Sequence, residues 1–239
     1  MDSRLDVGIV GAGPVGVALA KAISDAGHLV QAIATTDPDR AERVSLLLPG
    51  VRVGDVASTV KGVDLVIFAI PGNQIYDLVQ GLVETNALIP GQLLVSTSPD
   101  YGYEVFQPAY SVGVVPMALH PAMKFTGISS IDRSRLQECY IAVDAPKQVL
   151  PIVQTLAIEL GGEPVHVPGE ARKNYAEAIS VASTFTNLIV GQSINLLEEA
   201  GVAKPRNLLA GILRSTLEES LRSSVTEIDP ADLLDGDVE

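Results

Sequence analysis

Three glycines and one histidine are the residues of this 239-residue chain whose types and spacing point most directly to chemistry. Gly11, Ala12, Gly13, Pro14, Val15 and Gly16 spell G-x-G-x-x-G straight after an apolar run and at the opening of an amphipathic one. At such a junction Gly11 permits a tight turn, Gly13 lets a pyrophosphate touch the backbone, and Gly16 allows close helix–strand packing. The helix amino end adds unpaired N–H groups and a positive dipole end. A glycine-rich turn without a ligand is the plain alternative; a position at the first strand of an alternating series favours dinucleotide binding. His120 closes a later apolar run, where an imidazole can exchange a proton near neutral pH. It could equally fix the Pro121-Ala122-Met123 turn. His28 and His166 read as structural.

Ligands of parallel sheets bind outside the carboxyl ends of the strands, so the residues ending the other runs matter as well. The second run ends in Ala34-Thr35-Thr36-Asp37-Pro38. An acid at that tip favours NAD, and an arginine nearby accommodates the NADP phosphate. Asp37 has the spacing of a ribose ligand, but Pro38 after it suggests a helix cap instead. Thr35, Thr36, Arg40 and Arg43 could hold a phosphate, so NADP or NAD stays open with a slight tilt to NADP. Ile70-Pro71 and Ser98, ending two further runs, are expected to edge the nicotinamide.

Short β-branched runs recur at 5–10, 29–34, 51–53, 64–70, 92–97 and 114–120, separated by amphipathic stretches. That alternation is the mark of parallel βα units. The unbroken apolarity of Leu65-Val66-Ile67-Phe68-Ala69-Ile70 fits a strand covered on both faces. Runs at 139–143 and 164–167 flank a helix near 151–160, which Gly161-Gly162 stops. From 170 to 200 no turn signal occurs and the apolar spacing is helical; Pro205 opens a second helix reaching about Arg222. The expected fold is α/β, a doubly wound and mostly parallel sheet over residues 1–167, followed by a small all-helical domain over 168–239. The long helix is slim and too apolar for one neighbour to cover, which predicts a homodimer.

Composition sets the exclusions. Hydrophobic residues make up 47% and charged ones 19%, enough for a sizeable core. Sixteen Lys and Arg against 29 acids give a net charge of −13, which argues against nucleic-acid or anionic-membrane partners. No apolar run approaches the ~18 residues of a membrane span, and no secretory signal is expected. A single cysteine, Cys139, and three histidines make neither a disulfide nor a metal site. A cytoplasmic protein is the expectation.

At Met117-Ala118-Leu119-His120-Pro121-Ala122-Met123-Lys124-Phe125-Thr126-Gly127 the chain resembles a specific group. It is similar to the Rossmann-like family with a helical C-terminal domain of unknown function, within the pyrroline-5-carboxylate reductase and 6-phosphogluconate dehydrogenase-like superfamily. The glycine loop, Leu48-Pro49-Gly50, Asp64-Leu65, Ile70-Pro71, Thr97-Ser98, Arg172 with Tyr175, and Leu208-Leu209-Ala210 carry the resemblance further along the chain. It departs where relatives commonly have Ser-Arg-Ser (here Thr35-Thr36-Asp37), Tyr-His (Tyr175-Ala176), a His (Ser96), a Gly (Pro99) and an Asn (Glu219). Asp235-Gly236-Asp237 looks like the family's Arg-Gly-Asp-type segment. The resemblance implies an NAD(P)-dependent oxidoreductase moving hydride to or from a small anionic substrate. His120 and Lys173 would be its catalytic groups, since β-hydroxyacid dehydrogenases of the superfamily place a lysine where Lys173 falls. The rival reading is a non-catalytic dinucleotide-binding or sensor protein of the same fold.

Overall fold

The computed structural model of the chain describes residues 4–222; the acidic tail and Asp235-Gly236-Asp237 lie outside the described residues. Those residues divide into two compact units between Ser180 and Val181.

The first unit is an eight-stranded sheet with strand order 3-2-1-4-5-6-7-8. Its first half contains β1 (Asp6–Val10), α1 (Pro14–Asp25), β2 (Leu29–Ala34), α2 (Pro38–Leu47), β3 (Arg52–Gly54), α3 (Val56–Val60) and β4 (Leu65–Phe68). Next come α4 (Ile75–Glu84), β5 (Leu93–Ser96) and β6 (Val115–Pro121). Then α5 (Ser129–Leu136), β7 (Tyr140–Asp144), α6 (Leu150–Glu159) and β8 (Glu163–His166) complete the sheet. All neighbouring strands run parallel except β6 and β7, which pair antiparallel. The order reverses between β1 and β4, the doubly wound arrangement in which a crevice opens at the strands' carboxyl ends.

The apolar run in β4 shows why the sheet is covered on both sides. Leu65 and Ile67 enter one core with Val7, Ile9 and Val95, while Val66 and Phe68 enter the other with Val10, Leu94 and Phe106. A strand's side chains alternate between faces, so continuous apolarity requires two cores. Phe68 and Phe106 meet with ring centroids 5.3 Å apart. Phe106 belongs to a 3-10 run, Tyr103–Val112, that crosses from β5 to β6 where the sequence suggested no element. Pro108 within it removes an amide that an α-helix would use.

Elements end on local chemistry. Asp37 caps α2 by accepting from the amides of Asp39 and Arg40, and Asp55 caps α3 through Ser58. Asp132, almost fully buried, accepts from the Thr126 amide and hydroxyl and from the Gly127 amide, so it pins the segment leaving β6. After β8 a single 3-10 turn, Gly169–Ala171, leads into α7 (Arg172–Glu199).

The second unit holds the remainder of α7 and α8 (Pro205–Arg222). Phe185, Leu188, Ile189, Leu196, Leu208 and Ile212 are all more than half exposed there, whereas Ile194 is buried. Among the described residues no helix is long and apolar enough to cross a membrane.

Candidate functional site

The crevice is built from the glycine loop outward. Gly11 adopts φ +112°, a left-handed conformation in which a side chain would also run into the Ala69 carbonyl 2.4 Å away. Gly16 presses against the Gly11 carbonyl so closely that a Cβ would stand 1.9 Å from it. Gly13 differs: its φ of −72° suits any residue, and a Cβ there would meet only Arg40 Nη1 at 3.9 Å. Nothing in the fold therefore demands glycine at 13, and a close approach by a ligand would. Gly13 is also the N-cap of α1, which begins at Pro14 with no side-chain cap on its amides.

A cleft of about 530 Å3 runs from this loop along the ends of β4, β5 and β6. Of the residues singled out in the sequence, Gly13, Pro14, Val15, Ile70, Pro71, Ser98 and His120 line it. Gly11 and Gly16 lie behind the loop as packing positions, and Ala12 lines a smaller recess with Arg40, Arg43 and Gly127. Thr35 and Thr36 are not on the cleft wall; the Thr35 hydroxyl accepts from the Asp37 amide. Asp37 is engaged as a helix cap and by Arg40 at 3.1 Å, and Arg43 donates to the Gly127 carbonyl.

His120 is brought to the cleft by β6 and faces α7 on its other side. Its Nδ1 lies 2.8 Å from the Tyr175 hydroxyl, with the two rings edge to face at 5.6 Å. Burial, reinforced by the Arg172 charge, lowers the imidazole pKa to about 4, with Asp100 opposing. Burial raises the Tyr175 phenol to about 12. At neutral pH the pair is thus a neutral imidazole beside an intact phenol.

Arg172 lies 5.9 Å from the Tyr175 ring and is fully buried, an unusual place for a guanidinium. Its Nε and Nη2 donate to the carbonyls of Val167 and Ala142, while Nη1 has no hydrogen-bond partner among the described residues. Asp144 compensates its charge in part: burial raises that carboxyl, and His166 at 3.3 Å and Arg172 oppose the rise.

Lys173 is not brought to His120. It is exposed and does not line the cleft. One residue is a rotation of about 100° on a helix. The face of α7 that meets β6 is the one carrying Arg172 and Tyr175. Sequence reasoning assigned neither of them a role, although their i, i+3 spacing on a helix beginning near 170 was a usable signal. Lys124 is likewise exposed and off the wall; its neighbours Met123 and Phe125 line the cleft instead. Asp100, also on the wall, was missed because an acid after a Ser-Pro turn carries no distinctive pattern.

Strand order, glycine loop and crevice together define a Rossmann-like protein with a helical C-terminal extension. The chain belongs to the Rossmann-like domain family, whose profile matches residues 1–121, and residues 139–229 match the domain of unknown function DUF2520. Among curated proteins it is 30% identical over 111 residues to an NAD(P)+ glycerol-3-phosphate dehydrogenase of Azotobacter vinelandii. That match takes in 41% of this chain and only 32% of the dehydrogenase, so it spans about a third of that relative. Among solved structures, a candidate NADP oxidoreductase from Bacteroides fragilis superposes with TM-score 0.78 at 19% identity, over 97% of this chain and 87% of that one. An imine reductase from Pseudomonas sp. gives 0.72 at 17% over 92% and 75%. The pyrroline-5-carboxylate reductase of Streptococcus pyogenes gives 0.68 at 14% over 99% and 86%. At these identities the likeness is one of fold.

Proposed function

We propose that the chain is an NAD(P)-dependent oxidoreductase acting on a small molecule, with residues 1–167 as the cofactor domain and 168–239 as the dimerisation and substrate domain. The observation that carries this reading is the continuity of one cleft from the open Gly13 position to His120. The uncapped amides of α1 would receive the pyrophosphate, Ile70, Pro71 and Ser98 would border the nicotinamide, and His120 would stand at the reacting end. When bound, the cofactor supplies or accepts the hydride.

NADP is favoured over NAD by the surroundings of the second strand's tip. The Asp37 carboxylate is already taken by two amides and Arg40, and two arginines border the recess beside Ala12 and Gly13. A ribose hydroxyl would find that acid occupied, whereas a 2′-phosphate would find cations.

His120 serves as a neutral, oriented group. The Tyr175 hydroxyl and His120 Nδ1 share one hydrogen bond at 2.8 Å, which fixes the orientation of the ring. Tyr175 is accordingly a positioning residue for His120. Lys173 has no part in this arrangement. Neither Lys124 nor Lys173 lines the cleft wall.

Turnover assays with NADPH and NADH against oxoacids, imines and β-hydroxyacids test the reading. Nucleotide-dependent turnover that falls 10²- to 10⁴-fold in His120→Ala, with nucleotide affinity unchanged, is the expected result. Nucleotide binding without turnover of any compound would favour the sensor reading.

A further inference from the structure

Arg172 is the bulkiest fully buried side chain among the described residues, and its anchorage leads straight to His120. His120 on β6 is the ladder partner of Ala142 on β7, and Arg172 Nη2 donates to the Ala142 carbonyl at 3.3 Å. Nε donates to the Val167 carbonyl at 3.0 Å, in the chain leaving β8. The first turn of α7 is thus tied to the residue paired with His120, and three positions on Tyr175 meets the imidazole. Ladder partners and residues two apart on a strand share a face, so His120, Ala142 and Asp144 lie on one side of the sheet. Arg172 acts electrostatically on both His120 and Asp144. Glu104 of the 3-10 run and Tyr175 also bear on the guanidinium, while His166, Tyr103 and Tyr110 face the Asp144 carboxylate. Gly102 makes room for these acids: its φ of −80° suits any residue, but a Cβ would collide with the carboxylates of Glu104 and Asp144. On the cleft side His120 feels Asp100, carried by a turn that the Thr97 amide ties to the Phe68 carbonyl and that Ser98 leans on Gly72.

A buried guanidinium is costly to desolvate, and an apolar side chain of similar length would fill the same space without that cost. What an apolar side chain could not supply is a rigid fork spanning two backbone segments and a positive charge beside the imidazole. Building on the reading of His120 as the group at the reacting end, we infer that Arg172 is a positioning residue of the site. Its fork sets α7 so that Tyr175 meets His120, its charge bears on the imidazole, and Asp144 is its buried counter-ion. The fork and the charge are separable. The fork decides where the Tyr175 hydroxyl stands. The charge disfavours a proton on His120 and adds to the effect of burial, so that the ring stays neutral as it faces the cleft. Asp144 makes the buried cation tolerable, and without Arg172 its own carboxylate would be left unbalanced.

The test is nitrogen-15 NMR of the full chain labelled at its three histidines, with His120 assigned by its loss in His120→Asn. Two quantities are read: the midpoint of His120 protonation, and the Nδ1 shift at neutral pH, for which Tyr175→Phe marks the value without the hydrogen bond. Arg172→Met should raise the midpoint by about one pH unit, a tenfold gain in proton affinity, and move the Nδ1 shift to the Tyr175→Phe value. Arg172→Lys keeps the charge and loses the fork, so its midpoint should stay within about 0.3 unit of wild type while the Nδ1 shift still moves. A side chain that merely fills space would give Met and Lys the same midpoint. Urea unfolding tests the counter-ion. The double variant Arg172→Met with Asp144→Leu removes both charges and should be more stable than Asp144→Leu alone, with the His120 midpoint of Arg172→Met. It also decides the matter if a single variant does not fold. Wild-type values of both His120 quantities in Arg172→Met or the double variant, or a double variant less stable than Asp144→Leu, would overturn the inference. None of these readings uses nucleotide or substrate. A chain that fails to bind NADPH would therefore defeat the oxidoreductase reading, and the spectra would still decide how Arg172 acts on His120.

Discussion

The two compact units treat their apolar residues in opposite ways. In the sheet unit, β4 buries all four of its side chains, and each face of the sheet has a core of its own. In the helical unit Phe185, Leu188, Ile189, Leu208 and Ile212 stand between 56 and 61% exposed. Fully burying a side chain of this size is worth ~1.5–3 kcal/mol, so a row of them left in water marks a surface that needs covering. The sheet unit thus closes itself around a cleft, while the helical unit carries the face that the expected second copy would cover.

The largest effect should come from the packing glycines of the sheet unit. Gly16→Val drives a side chain into the Gly11 carbonyl, neither of which can move without opening the β1–α1 junction. A loss of more than about 4 kcal/mol in urea unfolding is expected. A stable Gly16→Val protein would mean that the loop is less tightly built than its geometry.

Protonation of His120 should give the next largest effect. Its pKa falls to about 4 in the folded chain from an ordinary 6.5, so the unfolded state takes up a proton first as pH drops. The neutral ring contributes no pH dependence above the unfolded pKa. Stability is lost as pH falls from 6.5 towards 4, by on the order of 3 kcal/mol. Comparing wild type with His120→Asn isolates this slope from the carboxylates titrating nearby, since the variant should lack it. Parallel curves would place His120 in contact with water and weaken its role at the cleft.

A smaller effect on stability, but a clear one on mass, is expected in the helical unit. Phe185→Glu combined with Ile212→Glu should convert a sedimenting dimer into a 25.1 kDa monomer. Because both residues are exposed, unfolding of the sheet should shift by only ~0.5 kcal/mol. A wild type that is monomeric at micromolar concentration would remove the case for a second copy.

How much of this was legible in the sequence follows from how local each signal is. The glycine loop, the strand runs and α8 from Pro205 to Arg222 were readable because turn residues and periodicity act within a few positions. The two-sided burial of β4 was readable as well, from its unbroken apolarity. Strand ends were readable only to within a residue or two: the expected run 64–70 is a strand over Leu65–Phe68, and the run 114–120 is one over Val115–Pro121. The partner of His120 was not legible. Lys173 and Tyr175 are two residues apart on one helix, and the docking of α7 against β6 selects between them. Asp100 depended on a turn whose direction is set by contacts with Phe68 and Gly72, distant in sequence. Arg172 ran against the rule that charges stay exposed, and only its carbonyl partners explain it.

If the cleft is a dinucleotide site reached through Gly13, nucleotide titration of the wild type and one loop variant decides it. Gly13 is the loop position where a side chain would meet no backbone, so Gly13→Val should fold with wild-type circular dichroism and an unfolding free energy lowered by no more than about 1 kcal/mol, the cost of a β-branched residue at the N-cap. Followed by NADPH and NADH fluorescence, the wild type should bind both, NADPH at least as tightly as NADH, and Gly13→Val should bind neither. Binding that survives Gly13→Val, or a wild type that binds neither nucleotide at millimolar concentration, would contradict it.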